Sequence, residues 1–183
     1  MKRKAVTLFI LIGCFQSLLL SCKSQSDKSV GEFIRCIPDL KSFIQDNEEV
    51  FMELRVCFME NEETKFYVKK DSMKNNEITI VELNTDTGTS LNSRLDDSSI
   101  VSEADKNLIR KVLAFSSEGV SLDTIGFSGD YFEFTAKNLV RMELIYNGYG
   151  INSGVIEERK GFSAYWEEIH EYWYVFIIVS KPA

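Results

Sequence analysis

The densest concentration of chemically versatile side chains is "YWEEIHEYWYVFIIV", residues 165 to 179, where aromatics and glutamates surround His170, the chain's only histidine. A histidine beside carboxylates can exchange protons near neutral pH. Tyrosine and tryptophan offer apolar contact area with a polar edge. Read by period, however, the stretch divides into three. Phe162, Ala164 and Trp166 share one face of a β-type segment that ends at Tyr165 and Trp166. "EEIHE" is too polar for a strand and reads as a connection or a single helical turn. Tyr172 to Val179 is rich in β-branched and aromatic residues, which favours a strand over the rival helical stripe through Trp166, Ile169, Trp173, Phe176 and Ile177. This reading places His170 in a loop among glutamates, solvated; a pH-responsive contact between His170 and Glu171 is the functional alternative. Tyr165, Trp166 and His170, with Tyr146 and Tyr149 upstream, are the candidate binding residues.

Other constellations are weaker. "GFSGD" centres on Ser128, but Asp130 stands where a nucleophile elbow requires glycine, and a strand follows where the elbow needs a helix. "NGYGINSG" follows a strand, yet no helix begins there to present amides to a phosphate. "NTDTGTSLN" offers Asn84 and Asp86, but its glycine falls one position early and its twelfth residue is Leu95, not glutamate. Paired carboxylates for glycan hydrolysis must flank a cleft at about 5–5.5 Å or about 6.5–9.5 Å. Glu133, Glu143, Glu167, Glu168 and Glu171 are available, and no spacing singles out a pair. Nothing in the pattern calls for a cofactor or metal.

The elements that would position these residues follow from periodicity. Leu40, Phe43, Ile44, Phe51, Leu54 and Phe58 recur at helical spacing, giving a helix from Pro38 to Met59 after a short turn at Gly31–Cys36. Val50, Met52, Leu54, Val56 and Phe58 also alternate, a rival strand signature. On the helix, Cys57 lies about 28 Å from Pro38 at about 1.5 Å per residue, beyond disulfide reach of Cys36. A strand folding back from Asn47 would bring the two cysteines together, so the pairing stays open. "KFYVKK" and "EITIVELN" read as a hairpin around "DSMKNN". "TDTGTSLNSRLDDSS" reads as a long exposed connection. Ser102 with Asp105 caps a helix whose apolar face is Leu108, Ile109, Val112 and Leu113, ending before Gly119. "LDTIGF", "YFEFTA" and "VRMELIYN" alternate as strands, the first two joined through Gly129. Tyr172 to Val179 is apolar on both faces, the mark of an interior strand. The expected fold is α+β, with an antiparallel sheet of about five to seven strands packed against two main helices.

The N-terminus runs Met-Lys-Arg-Lys and then "AVTLFILIGCFQSLLLSC". A basic start followed by an apolar run is a secretory signal, and 17 residues from Ala5 to Ser21 are short for a permanent span. "LLSC" resembles the lipobox of bacterial lipoproteins. The resemblance implies cleavage before Cys22 and lipid attachment to Cys22. "LIGC", ending at Cys14, also fits, but cleavage there leaves only 9 apolar residues after the basic start and strands "FQSLLLS" on the mature protein. The resemblance further implies a cell-envelope protein anchored by several acyl chains. Lys23 stands where an aspartate would signal inner-membrane retention, so the expected location is the outer membrane. Residues 1–21 are then the signal, 22–29 a polar tether, and 30–183 a single domain.

Processing at Cys22 leaves 18 basic and 28 acidic residues, a net charge of −10. That balance argues against nucleic acid, which selects a basic footprint, and against adhesion to an anionic membrane surface. The leading expectation is a non-enzymatic binding module, a receptor or accessory subunit of an envelope complex. Its partner would be another envelope or extracellular protein, or a glycan. Two alternatives remain: an inhibitor or immunity-type protein against a basic enzyme, favoured by electrostatic steering, and a small glycan hydrolase.

Overall fold

The computed structural model describes residues 25, 27–60, 65–71, 75–84, 86–137, 140–148 and 162–180. The expected signal segment with Cys14, and Cys22 after it, lies outside the described residues, as does Tyr149. Among the described residues no helix is long and apolar enough to cross a membrane.

Among the described residues the fold is α+β, with three helices and a nine-stranded antiparallel sheet. Helix α1 spans residues 27–46, burying Phe33, Cys36, Leu40 and Ile44 along one stripe. It begins earlier than periodicity alone suggests and takes in the end of the expected tether. Pro38 lies inside it instead of opening it, on the exposed side where water can answer for the missing backbone donor.

The single long helix expected from Pro38 to Met59 is in fact two. Asn47 breaks it: its side-chain amide donates to Phe43 O at 2.8 Å and its backbone N–H to Ile44 O at 3.1 Å. An asparagine that satisfies helix carbonyls with its own side chain ends a helix without glycine or proline. Helix α2, Glu48–Glu60, starts at once and buries Phe51, Leu54, Cys57 and Phe58. The alternation through Val50–Phe58 is therefore not a strand. Cys36 and Cys57 sit on different helices and form no disulfide; Cys36 Sγ packs 3.9 Å from Met142 Sδ. Helix α3, Glu103–Leu113, carries the expected capping box between Ser102 and Asp105.

The strands are β1 Lys65–Asp71, β2 Glu77–Asn84, β3 Thr89–Arg94, β4 Ser116–Ser117, β5 Val120–Ile125, β6 Tyr131–Phe134, β7 Val140–Tyr146, β8 Phe162–His170 and β9 Trp173–Ser180. Their order is β3-β2-β1-β5-β6-β7-β9-β8, with the short β4 paired to β5. Two expectations are corrected here. Part of the presumed exposed connection is β3, whose polar residues suit a solvated edge and whose turn is built by Asn84 Oδ1 accepting from the N–H of Asp86 and Thr87. "EEIHE" is not a connection: β8 runs through it to His170, leaving only Glu171 and Tyr172 for the turn. An edge strand needs no buried outer flank, so glutamates are tolerated in it. β9 lies between β7 and β8, as its apolar composition requires.

Side-chain alternation sorts the sheet into two faces. Phe66, Phe132, Met142, Leu144, Trp173 and Val175 are buried on the helix side. Phe51 of α2 is the hub there, its ring 5.2 Å from Phe132 and 5.1 Å from Trp173. The β5–β6 turn comes so close to α2 that a Cβ on Gly129 would lie 2.9 Å from Arg55 Cα. "GFSGD" is thus a turn pressed against a helix, with Ser128 bonded to Asp130 in place of a catalytic base.

Candidate functional site: the β6–β7–β9–β8 face and its edge

The strand register lays three cross-strand rows over the sheet face turned away from the helices. Tyr131, Ile145, Tyr174 and Glu168 form one row. Glu133, Glu143, Phe176 and Trp166 form the next, and Arg141, Ile178 and Ala164 a third. The period of two in each strand puts these residues together; antiparallel pairing brings acid next to acid and aromatic next to aromatic.

Two parts of this face have chemical character. In the first, Tyr131 Oη lies 2.9 Å from Glu143 Oε1 and 3.3 Å from Glu133 Oε2, while Arg141 Nη2 is 2.7 Å from Glu143 Oε1. Burial, reinforced by the carboxylates of Glu143 and Glu133, pushes the Tyr131 phenol well above its ordinary range, so it stays a donor. Glu143 is almost fully buried. Of the five glutamates named from sequence, only Glu133 and Glu143 converge. Glu167 and Glu168 project to opposite faces of β8, and Glu171 lies in the turn. Sequence reasoning missed Tyr131 and Arg141. Their signal is present only as partners two residues from Glu133 and Glu143 on neighbouring strands.

The second part is the edge strand. Tyr165, Trp166, Glu167 and Glu168 are all exposed. Tyr165 and Glu167 face the helix side, where Tyr165 Oη donates to Glu167 Oε2 at 2.5 Å. That bond, with a smaller contribution from burial, raises the Tyr165 phenol's pKa. Trp166 and Glu168 face the other way, and the Trp166 ring lies 6.3 Å from that of Tyr174.

The remaining candidates are placed elsewhere. Beneath α2 runs the row Tyr146–Trp173–His170, matched above by Arg55, Phe51 and Glu48 along one helix face. The Arg55 guanidinium sits 3.9 Å over the Tyr146 ring, which also packs 5.0 Å from Trp173. Tyr146 is half-buried, packed between the Arg55 guanidinium and Trp173. His170 is not a solvated loop residue: it ends β8, half-buried, with Nε2 3.3 Å from Glu48 Oε2. Those atoms are at ion-pair distance without hydrogen-bond alignment. Its neighbour is Glu48 of α2, not Glu171. A β-bulge at Glu168–His170 turns it inward. The described candidate binding residues thus split, with Tyr165 and Trp166 exposed and Tyr146 and His170 half-buried under α2.

One further cleft, of about 400 Å³, lies between the end of α3 and the sheet, lined by Lys70, Asn76, Ile78, Arg110, Leu113 and Ser116 among others. Both cations are engaged there. Lys70 Nζ donates to Leu113 O at 2.7 Å and lies 3.8 Å from Asp123, and Arg110 pairs with Asp96.

Comparison with protein-family models, curated proteins and solved structures finds no match to the chain.

Proposed function

We propose that this chain is a lipid-anchored envelope protein, held at the outer membrane through Cys22, that acts as a non-enzymatic binding module of an envelope complex. The observation that supports the binding reading is the exposed pair Tyr165–Trp166 on an edge strand, flanked by Glu167 and Glu168. Exposed aromatics with rigid backbones are the residue class that anchors interfaces. Intact lipidated protein used as bait in its own envelope extract tests this. A partner retained by the wild type and lost by Trp166→Ala, with the fold intact, is the expected result. Equal capture by both refutes the assigned surface. If the captured partner is a basic enzyme and the complex weakens with salt, the module is an inhibitor or immunity-type protein.

One observation favours a second reading, a glycan hydrolase: Glu133 and Glu143 converge on Tyr131. Against it, Glu143 is buried and already held by Arg141. Turnover of peptidoglycan that is abolished separately by Glu133→Gln and Glu143→Gln would establish it.

A further inference from the structure

We propose that β8 is a docking edge that accepts an extended, basic segment of a partner protein as an added antiparallel strand. This rests on the binding-module reading and specifies its chemistry. Among the described residues β8 pairs only with β9, so half of its backbone N–H and C=O groups point away from the sheet. The two ends of the sheet differ in kind. β3 is six residues, polar and almost wholly exposed. β8 is nine residues, Phe162–His170, with no proline and no lysine to blunt it. Its central residues offer one aromatic and one carboxylate on each face: Tyr165 with Glu167, and Trp166 with Glu168.

That arrangement selects the occupant. A second copy paired about Glu167–Glu168 would set these acids against each other, on a chain with 28 acidic and 21 basic residues. Like charges across strands oppose pairing, whereas lysine or arginine opposite each glutamate favours it. The register gives a reading order. An antiparallel neighbour meets Glu168, Glu167, Trp166 and Tyr165 in its own N-to-C direction. It therefore carries two basic residues followed by two apolar ones, in extended form. The bulge at Glu168–His170 ends the regular ladder and sets the limit of the site. Backbone pairing supplies affinity and the alternate side chains supply specificity, as in other strand-addition complexes.

The probe is the blocked peptide Thr-Lys-Lys-Val-Val-Thr, titrated against the full-length protein in detergent and followed by tryptophan emission. Trp166 is 36% exposed and Trp173 is fully buried, so the change reports the edge. The permuted peptide Thr-Lys-Val-Lys-Val-Thr should bind at least tenfold more weakly, and Glu167→Lys/Glu168→Lys should weaken the first peptide about tenfold. The decisive comparison uses two analogues N-methylated on alternate amides. Strand addition requires one to lose binding at least tenfold and the other to keep it within about threefold. Equal behaviour of the two analogues overturns the proposal, as does absence of binding at millimolar peptide. A stable homodimer joined through β8 also overturns it. Loss of envelope-partner capture in Trp166→Ala without any peptide selectivity leaves the binding module standing and removes strand addition alone.

Discussion

Gly129→Ala, measured against Gly88→Ala, separates two costs that usually travel together. Both glycines have positive φ, +66° in each case. An alanine in that region costs about 1–2 kcal/mol. Gly88 lies in the β2–β3 turn with nothing within 4 Å of an added Cβ, so its variant should lose only that amount. Gly129 presses on α2: the new Cβ would meet Arg55 Cα at 2.9 Å, Leu54 O at 3.2 Å and Phe58 Cβ at 3.2 Å. Two of these atoms are helix backbone, which cannot swing aside as a side-chain tip can. Forcing an extra methyl into such packing costs about 1–3 kcal/mol more, for a total of about 2–5 kcal/mol. Urea unfolding followed by circular dichroism measures the difference. With a slope of about 2 kcal/mol per molar urea, the Gly129 midpoint should fall by about 1–2.5 M, and by visibly less for Gly88→Ala. If the two variants lose equal stability within about 0.5 kcal/mol, the reasoning about the turn's approach to α2 is wrong.

Burial raises the thiols of Cys36 and Cys57 from about 9 to about 12, with Asp39 and Asp105 respectively adding to the effect. Native protein at pH 8 should therefore leave both unmodified by iodoacetamide, while urea exposes them, as peptide mass mapping would show. Because the folded-state values lie above the unfolded ones, the thiols' contribution is complete below about pH 9 and declines from there toward about 12, so stability should fall across that interval. A Cys36→Ala/Cys57→Ala variant should show a shallower alkaline decline. Ser102→Ala removes the oxygen that accepts from Asp105 N–H at 3.2 Å, and should cost about 1 kcal/mol in the same urea assay.

The capping box of α3 was legible because it is local: four consecutive residues contain both partners. The β1–β2 and β5–β6 hairpins were legible for a similar reason, since alternation and turn residues specify a pairing between neighbours in sequence. Asn47 was misread because its helix-ending role depends on where its amide points, and composition rules weight glycine and proline instead. β3 and the polar half of β8 were misread because polarity marks solvent contact, which loops and edge strands share. Only the order of strands tells which is an edge. The converging acids were invisible for a related reason. Glu133 and Glu143 are ten residues apart and meet through the β6–β7 register, with Tyr131 and Arg141 completing the group.

By itself, then, the sequence determined the α+β class, the capped helix, the interior character of β9 and the aromatic–acid density of residues 165–171. Each is carried by local propensity or by a period of two or of 3.6, which a single segment expresses alone. Tertiary structure decided that Tyr146 and His170 are held under α2 while Tyr165 and Trp166 are exposed on opposite faces of β8. It also decided that, among the described strands, β8 is the end of the sheet. The physical reason is that exposure belongs to a pair of surfaces: a side chain is available or covered according to what packs over it. For Tyr146 and His170 the cover comes from Arg55 and Glu48, about a hundred positions away in the chain.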